Sequence, residues 1–211
     1  MRNLFLIIGL NLIFFSSSCQ GIKSILVHAK DYEIVAEENI KLEANKRTIK
    51  EFSIISDANT YDEFAQTSML AAYELSKKHK IDLIIIMLVP SKELVRTNYY
   101  YAMVEYASDN KGATGLPGLD EKLFTKGKWF ARSSQNTLSE DELLMVSLWV
   151  KYQKDFPSKN AFSSLSYDDE SLRIHIANEL HIKVEDVELP NIIRNKYKIK
   201  EVKYWMYPEP D

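Results

Sequence analysis

Cysteine occurs once in the 211 residues, at Cys19, so no intrachain disulfide framework and no cysteine-rich zinc site can hold the fold. Basic residues are in slight deficit, with a net charge of −3, and the electrostatic footprint of a nucleic-acid binder is missing. Glycine and proline number only six each, which excludes collagen-like and low-complexity chains. Long hydrophobic runs are also scarce: the longest, Leu4 to Phe15, spans roughly 18 Å as a helix against a hydrocarbon core of roughly 30 Å. What the chain does have is 45% hydrophobic residues, 9 Phe, 12 Tyr and 3 Trp, enough to build a core by packing alone.

The N-terminus reads MRNLFLIIGLNLIFFSSSCQG: a cation at Arg2, the apolar run, three serines and then Cys19. This three-part order is that of an export signal that is cleaved rather than retained as a span. The serines and the sole cysteine resemble the lipobox of bacterial lipoproteins, in which the cysteine is acylated and becomes the first mature residue. Such boxes usually carry Leu three positions before the cysteine, where this chain has Ser16. An ordinary signal cut near Ser18 or Gly21 is the alternative. The resulting division is a signal at 1–18, an anchor or linker at 19–30 and a single domain over 31–211, with a helical subdomain starting near 138.

Within that domain, residues 24–28 and 32–42 are rich in β-formers, and 47–56 alternates, so two antiparallel strands joined near Asn45 and Lys46 are predicted. Thr60 with Glu63 has the spacing of a capping box, because the hydroxyl can accept from the third helical N–H while the glutamate reaches back. Phe64, Ser68, Ala71, Ala72 and Leu75 then give one buried helical face up to Lys80. Residues 82–89 (DLIIIMLV) read as a strand at the centre of a sheet with both faces covered. Residues 99–107 (YYYAMVEYA) read as another strand. Ser139 with Glu142 opens a helix to about Phe156, striped by Leu144, Leu148 and Tyr152, and a third helix starts near Asp168 with Leu172, Ile176 and Leu180 on one side. Alternation over 198–207 suggests a last strand. The fold class expected is α+β: a mixed β-sheet centred on 82–89, packed by helices near 60–80, 139–156 and 168–181.

No local motif nominates an active site. Gly112, Gly115 and Gly118 do not make a dinucleotide or phosphate loop, the four histidines show no H-x-x-x-H spacing, and G-x-S-x-G is absent, so no cofactor, metal or catalytic residue is assigned. His175 and Glu179 stand one helical turn apart, the spacing of a solvated pair. Residues 176–187 have a helix-turn-helix cadence, but Glu179, Glu185, Asp186 and Glu188 give it the wrong charge for DNA, and a packing hairpin is the better account. The feature that stands out is the aromatic cluster Tyr99, Tyr101, Tyr106 and Trp129 beside Asp109 and Lys111 in the glycine-rich 109–118 loop. It is either a binding surface, with rings as a rim, or part of the core, with both sheet faces covered by helices.

Tyr101, Ala102, Tyr106, Ala107, Asp109, Lys111, Gly112 and Gly115, with the earlier LVPSKEL from Leu88 and the later Ile176, Ala177, Leu180, Val187, Leu189 and Pro190, resemble an uncharacterised bacterial domain family of unknown function over roughly residues 30 to 195. That resemblance implies one continuous domain and carries no activity, cofactor or catalytic residue. The function expected from the whole is a cell-envelope lipoprotein held to the membrane through Cys19 and acting as a binding or interaction module, with no nucleic-acid partner. An envelope hydrolase with a dispersed site and a secreted, non-lipidated structural protein are the alternatives.

Overall fold

The structure is a computed structural model that describes residues 24–40, 47–108, 129–157 and 167–197. It is α+β, built on a six-stranded mixed sheet with spatial order β1 (Tyr32–Ile40), β2 (Ile49–Ser56), β3 (Leu83–Leu88), β4 (Ala102–Ala107), β5 (Trp129–Ser134) and β6 (Arg194–Lys196). Neighbours pair antiparallel except β2 and β3, which run parallel because helix α1 (Tyr61–His79) carries the chain back between them. The predicted hairpin is β1 with β2, interrupted by a register shift between Ile34 and Ala36.

Thr60 caps α1 by accepting from the Glu63 N–H at 3.3 Å, while the Glu63 carboxylate takes the N–H of Asn59 rather than that of Thr60. The helix ends at Lys80 in the left-handed region, with Lys77, Lys78 and His79 in the last turn, where cations oppose the negative end of the dipole. Phe64, Met69, Ala72 and Leu75 pack on Phe52 and Ile54 of β2, Ile84, Ile86 and Leu88 of β3, Val104 of β4 and Ala131 of β5. The polar residues Gln66 and Thr67 are buried as well, because residues 25–30 lie along the helix: the His28 N–H donates to Gln66 Oε1 at 2.8 Å and the Lys30 N–H to Thr67 Oγ1 at 2.9 Å. That segment is a pair of turns rather than a strand, and its Leu26 belongs to the main core.

Strand β3 is central, as its composition indicates, but its two faces differ. Ile84, Ile86 and Leu88 are sealed under α1, whereas Ile85 and Met87 on the opposite face are only half-buried. The expectation that the C-terminal helices cover that second face is not met among the described residues: they pack on each other and on the Lys92–Leu94 turn instead. Helix α2 (Glu140–Tyr152) starts with the predicted Ser139–Glu142 capping box and α3 (Asp169–Leu180) with Asp168 accepting from the Ser171 N–H. Leu148 and Trp149 meet Leu172, Ile176, Ala177 and Val187 in a cluster free of strand residues. Val146 packs with Leu94, from the single turn Lys92–Leu94 after β3, and with Leu138 and Ile192.

This placement changes the stripe expected on α2. Leu144 is 48% exposed, and the buried positions are Val146, Leu148 and Trp149, because α2 is gripped on one side by Leu94 and on the other by α3. After α3 the chain turns at His181, φ 56°, into a single 3-10 turn, Val184–Asp186, so no second helix follows and the helix-turn-helix cadence is that of a packing corner. His175 lies 3.7 Å from Glu179 as its spacing predicts, yet its ring is wedged against Tyr152 and Phe156, with centroids at 4.4 and 5.3 Å. The strand predicted over 198–207 lies outside the described residues, and the short β6 precedes it. No described helix is long and apolar enough to cross a membrane.

Candidate functional site

The aromatic cluster does not form one surface. Trp129 and Tyr106 are buried against each other under α1, ring centroids 4.3 Å apart, and Phe64 stacks on Tyr101 at 4.6 Å. The reason is register: β4 begins at Ala102, so Tyr106 alternates with Ala102 and Val104 onto the helix side, and Trp129 is its partner on β5. Two proposed rim residues are therefore core residues. Tyr101 is half-buried and ties the sheet to α2, its hydroxyl accepting the Leu138 N–H at 3.1 Å. Cys19, Asp109 and Lys111 lie outside the described residues, as does the 109–118 loop.

Tyr99 has a different environment, because residues 97–100 leave the ladder before β4 starts. Leu94 O accepts from both the N–H and the hydroxyl of Thr97, and the Thr97 hydroxyl in turn accepts the Tyr99 N–H at 3.1 Å. Arg96 immediately before is one of three non-glycine residues with positive φ among the described residues, at 63°, a conformation that costs a residue with a Cβ. The bulged connector stands off from α2, and between them opens a cleft of about 730 Å³. Arg96, Asn98 and Tyr99 form one wall, Trp149 and Val150 of α2 and Gln153 just after it, with Tyr167, the other, and Leu189 to Ile192 with Arg194 complete the lining.

The aromatic wall is braced by ring and cation contacts. Trp149 meets Tyr167 edge to face at 5.8 Å, and the Arg173 guanidinium lies over the Trp149 ring while donating to the Val187 carbonyl and to Asp169. Across the cleft, burial pushes the Tyr99 hydroxyl above its ordinary pKa, reinforced by Tyr167.

Arg194 supplies the charge. Its guanidinium stacks on Tyr100 at 3.6 Å, Nε donates to the Tyr100 carbonyl at 2.7 Å and Nη2 to the Asn98 carbonyl at 2.6 Å. Burial lowers its pKa, and the neighbouring Arg132 adds a like charge. Among the described residues no carboxylate lines the cleft. Arg96, the second cation of the lining, reaches Glu38 of β1 at 3.3 Å. Three amides, Asn98, Gln153 and Asn191, add neutral donors and acceptors. Among the described residues no group of three or more His, Cys, Asp or Glu side chains could hold a metal ion.

Sequence reasoning reached one residue of this cleft, Tyr99. Arg194 and Asn191 lie 92 or more positions further on in LPNIIRNK, a segment with no motif, and only the folding of β6 back beside β5 brings them to Tyr99.

A family model described as a domain of unknown function (DUF4875) matches residues 27–192. No curated protein sequence matches the chain. Among solved structures, a crystal structure described as a DUF487 family protein from Desulfovibrio piger is similar, with a TM-score of 0.61 at 18% identity, covering 81% of this chain and 96% of that one. At that identity the likeness is one of fold.

Proposed function

The chain belongs to the DUF4875 family, a domain of unknown function, and we propose that it is a cell-envelope lipoprotein, anchored through Cys19, whose domain binds a small ligand in the Arg194 cleft. The observation that carries the binding reading is the lining: two arginines, three amides and an aromatic wall converge on one concavity between a connector and a helix end. Arginine and amide side chains bind and orient, and among the described residues that line it there is neither imidazole nor carboxylate, two groups commonly used to shuttle protons. The anchor rests on the export signal and on the position of the sole cysteine after it.

Two experiments test this. Acyl labelling in a bacterial host gives a lipid-modified protein that Cys19→Ala renders soluble; a Cys19→Ala protein that still fractionates with membranes overturns the anchor. A thermal-shift panel of small anionic, neutral and cationic metabolites gives a subset that raises Tm, and that response disappears in Asn191→Trp, which fills the cleft from an exposed position. A flat panel, or a response unchanged in Asn191→Trp, overturns the cleft as the binding site.

A further inference from the structure

Resting on that reading of the cleft, we infer that its ligand is an acidic sugar, a ring with several hydroxyls and one carboxylate or phosphate, whose anionic group docks on Arg194 with Arg96 recruited from Glu38.

The charge argument comes first. Arg194 is half-buried, and the described groups that touch it are two carbonyls and an aromatic face; no carboxylate among the described residues pairs with it, while Arg132 stands close enough to repel it. A cation withdrawn from water without a counter-charge is costly, and an anion entering the cleft supplies what the protein does not. The same contacts fix the guanidinium in one orientation before any ligand arrives. Little rotamer freedom is then lost on binding, and the N–H groups that remain, two on Nη1 and one on Nη2, suit a planar carboxylate or a phosphate.

Arg96 gives the site a second cation with an alternative partner. Its side chain is mostly exposed and salt-bridged to Glu38, itself mostly exposed, at 3.3 Å, an arrangement of small energy in water. An anion already on Arg194 lies in the same cleft that Arg96 lines, and it competes with Glu38 for that guanidinium.

The rest of the lining selects the body of the ligand. Asn98, Gln153 and Asn191 offer both donors and acceptors, the complement of hydroxyl groups rather than of a hydrocarbon. Tyr99 and Tyr167 contribute flat, half-buried rings against which the C–H face of a sugar packs. An ammonium group finds no acid among the described lining residues, so amino sugars and free amino acids fit poorly.

The test is calorimetric titration of the intact domain with D-glucuronate, glucose 6-phosphate, glucose and glucosamine, the two anions distinguishing carboxylate from phosphate. At least one anion binds about tenfold or more tightly than glucose, glucosamine does not bind, and affinity falls with added salt. Arg96→Gln weakens the anion several-fold and leaves glucose unchanged. Glu38→Gln, which releases Arg96, strengthens the anion, an effect opposite to that of a merely damaged fold. Equal affinity for glucose and both anions, or indifference to both substitutions, overturns the acidic-sugar assignment; if Asn191→Trp still abolishes that binding, the cleft itself stands. Absence of binding by all four probes also overturns the assignment, and the metabolite panel then decides the cleft separately.

Discussion

Phe64 of α1 and Tyr101, the residue before β4, stack with ring centroids 4.6 Å apart and planes 20° from parallel, and the Tyr101 hydroxyl reaches on to the Leu138 N–H just before α2. One side chain thus connects the sheet core to the start of the helical hairpin. Tyr101→Phe keeps the stack and leaves the Leu138 N–H without its acceptor, at a cost of about 1–3 kcal/mol. Urea denaturation measures it, and a loss of cooperativity would accompany it if the hairpin unfolds first.

Trp129 separates a core role from a surface role. As a buried neighbour of Tyr106 it should cost about 3–5 kcal/mol when replaced by Ala. An unchanged melting temperature in Trp129→Ala would contradict its position under α1.

The unequal faces of β3 make a paired prediction. Ile86→Ala, on the face sealed by α1, costs about 2–5 kcal/mol, and Ile85→Ala, half-buried opposite, costs clearly less. Equal losses in the two variants would mean that the second face is as tightly covered as the first.

Glu38 and Glu51 stand directly opposite each other on β1 and β2. Burial, and then the Glu38 charge, push the Glu51 carboxyl above its ordinary pKa. A raised carboxyl pKa means that the folded state holds its proton more tightly, so the destabilising effect is absent in acid and fully present once pH exceeds the folded pKa. Glu51→Gln therefore stabilises the protein at pH 7 by roughly 0.2–1 kcal/mol, the range for a cross-strand pair. The gain vanishes near pH 4, and denaturation curves at the two pH values check it.

Tyr197 links β6 to α1: its hydroxyl accepts from Gln66 Nε2 and donates to Asp62, both at 2.9 Å. Burial is the main cause that pushes its pKa up to about 12. Tyr32, bonded to Glu74, is pushed up further, again mainly by burial. For a raised group the stability is fully present below the unfolded value near 10 and is lost as pH rises through the folded value. Melting temperature should fall between pH 10 and 12, and Tyr197→Phe, though less stable at pH 8, should fall less steeply.

Local chemistry alone determined the caps at Thr60, Ser139 and Asp168, the buried face of α1 from Phe64 to Leu75, and the identity of 83–88 as a central strand. A cap or a helical stripe is settled within a few residues, by hydrogen bonds and periodicity that the chain carries with it. Tertiary structure alone decided that, among the described residues, α2 packs on α3 and on the Lys92–Leu94 turn, because Leu144 and Val146 are equally apolar and only the neighbours Leu94 and Leu172 choose between the stripes. It also decided the cleft. Arg96, Tyr99, Trp149 and Arg194 are spread over 99 positions, each ordinary in its own segment, and a site made by the meeting of distant segments leaves no spacing to read.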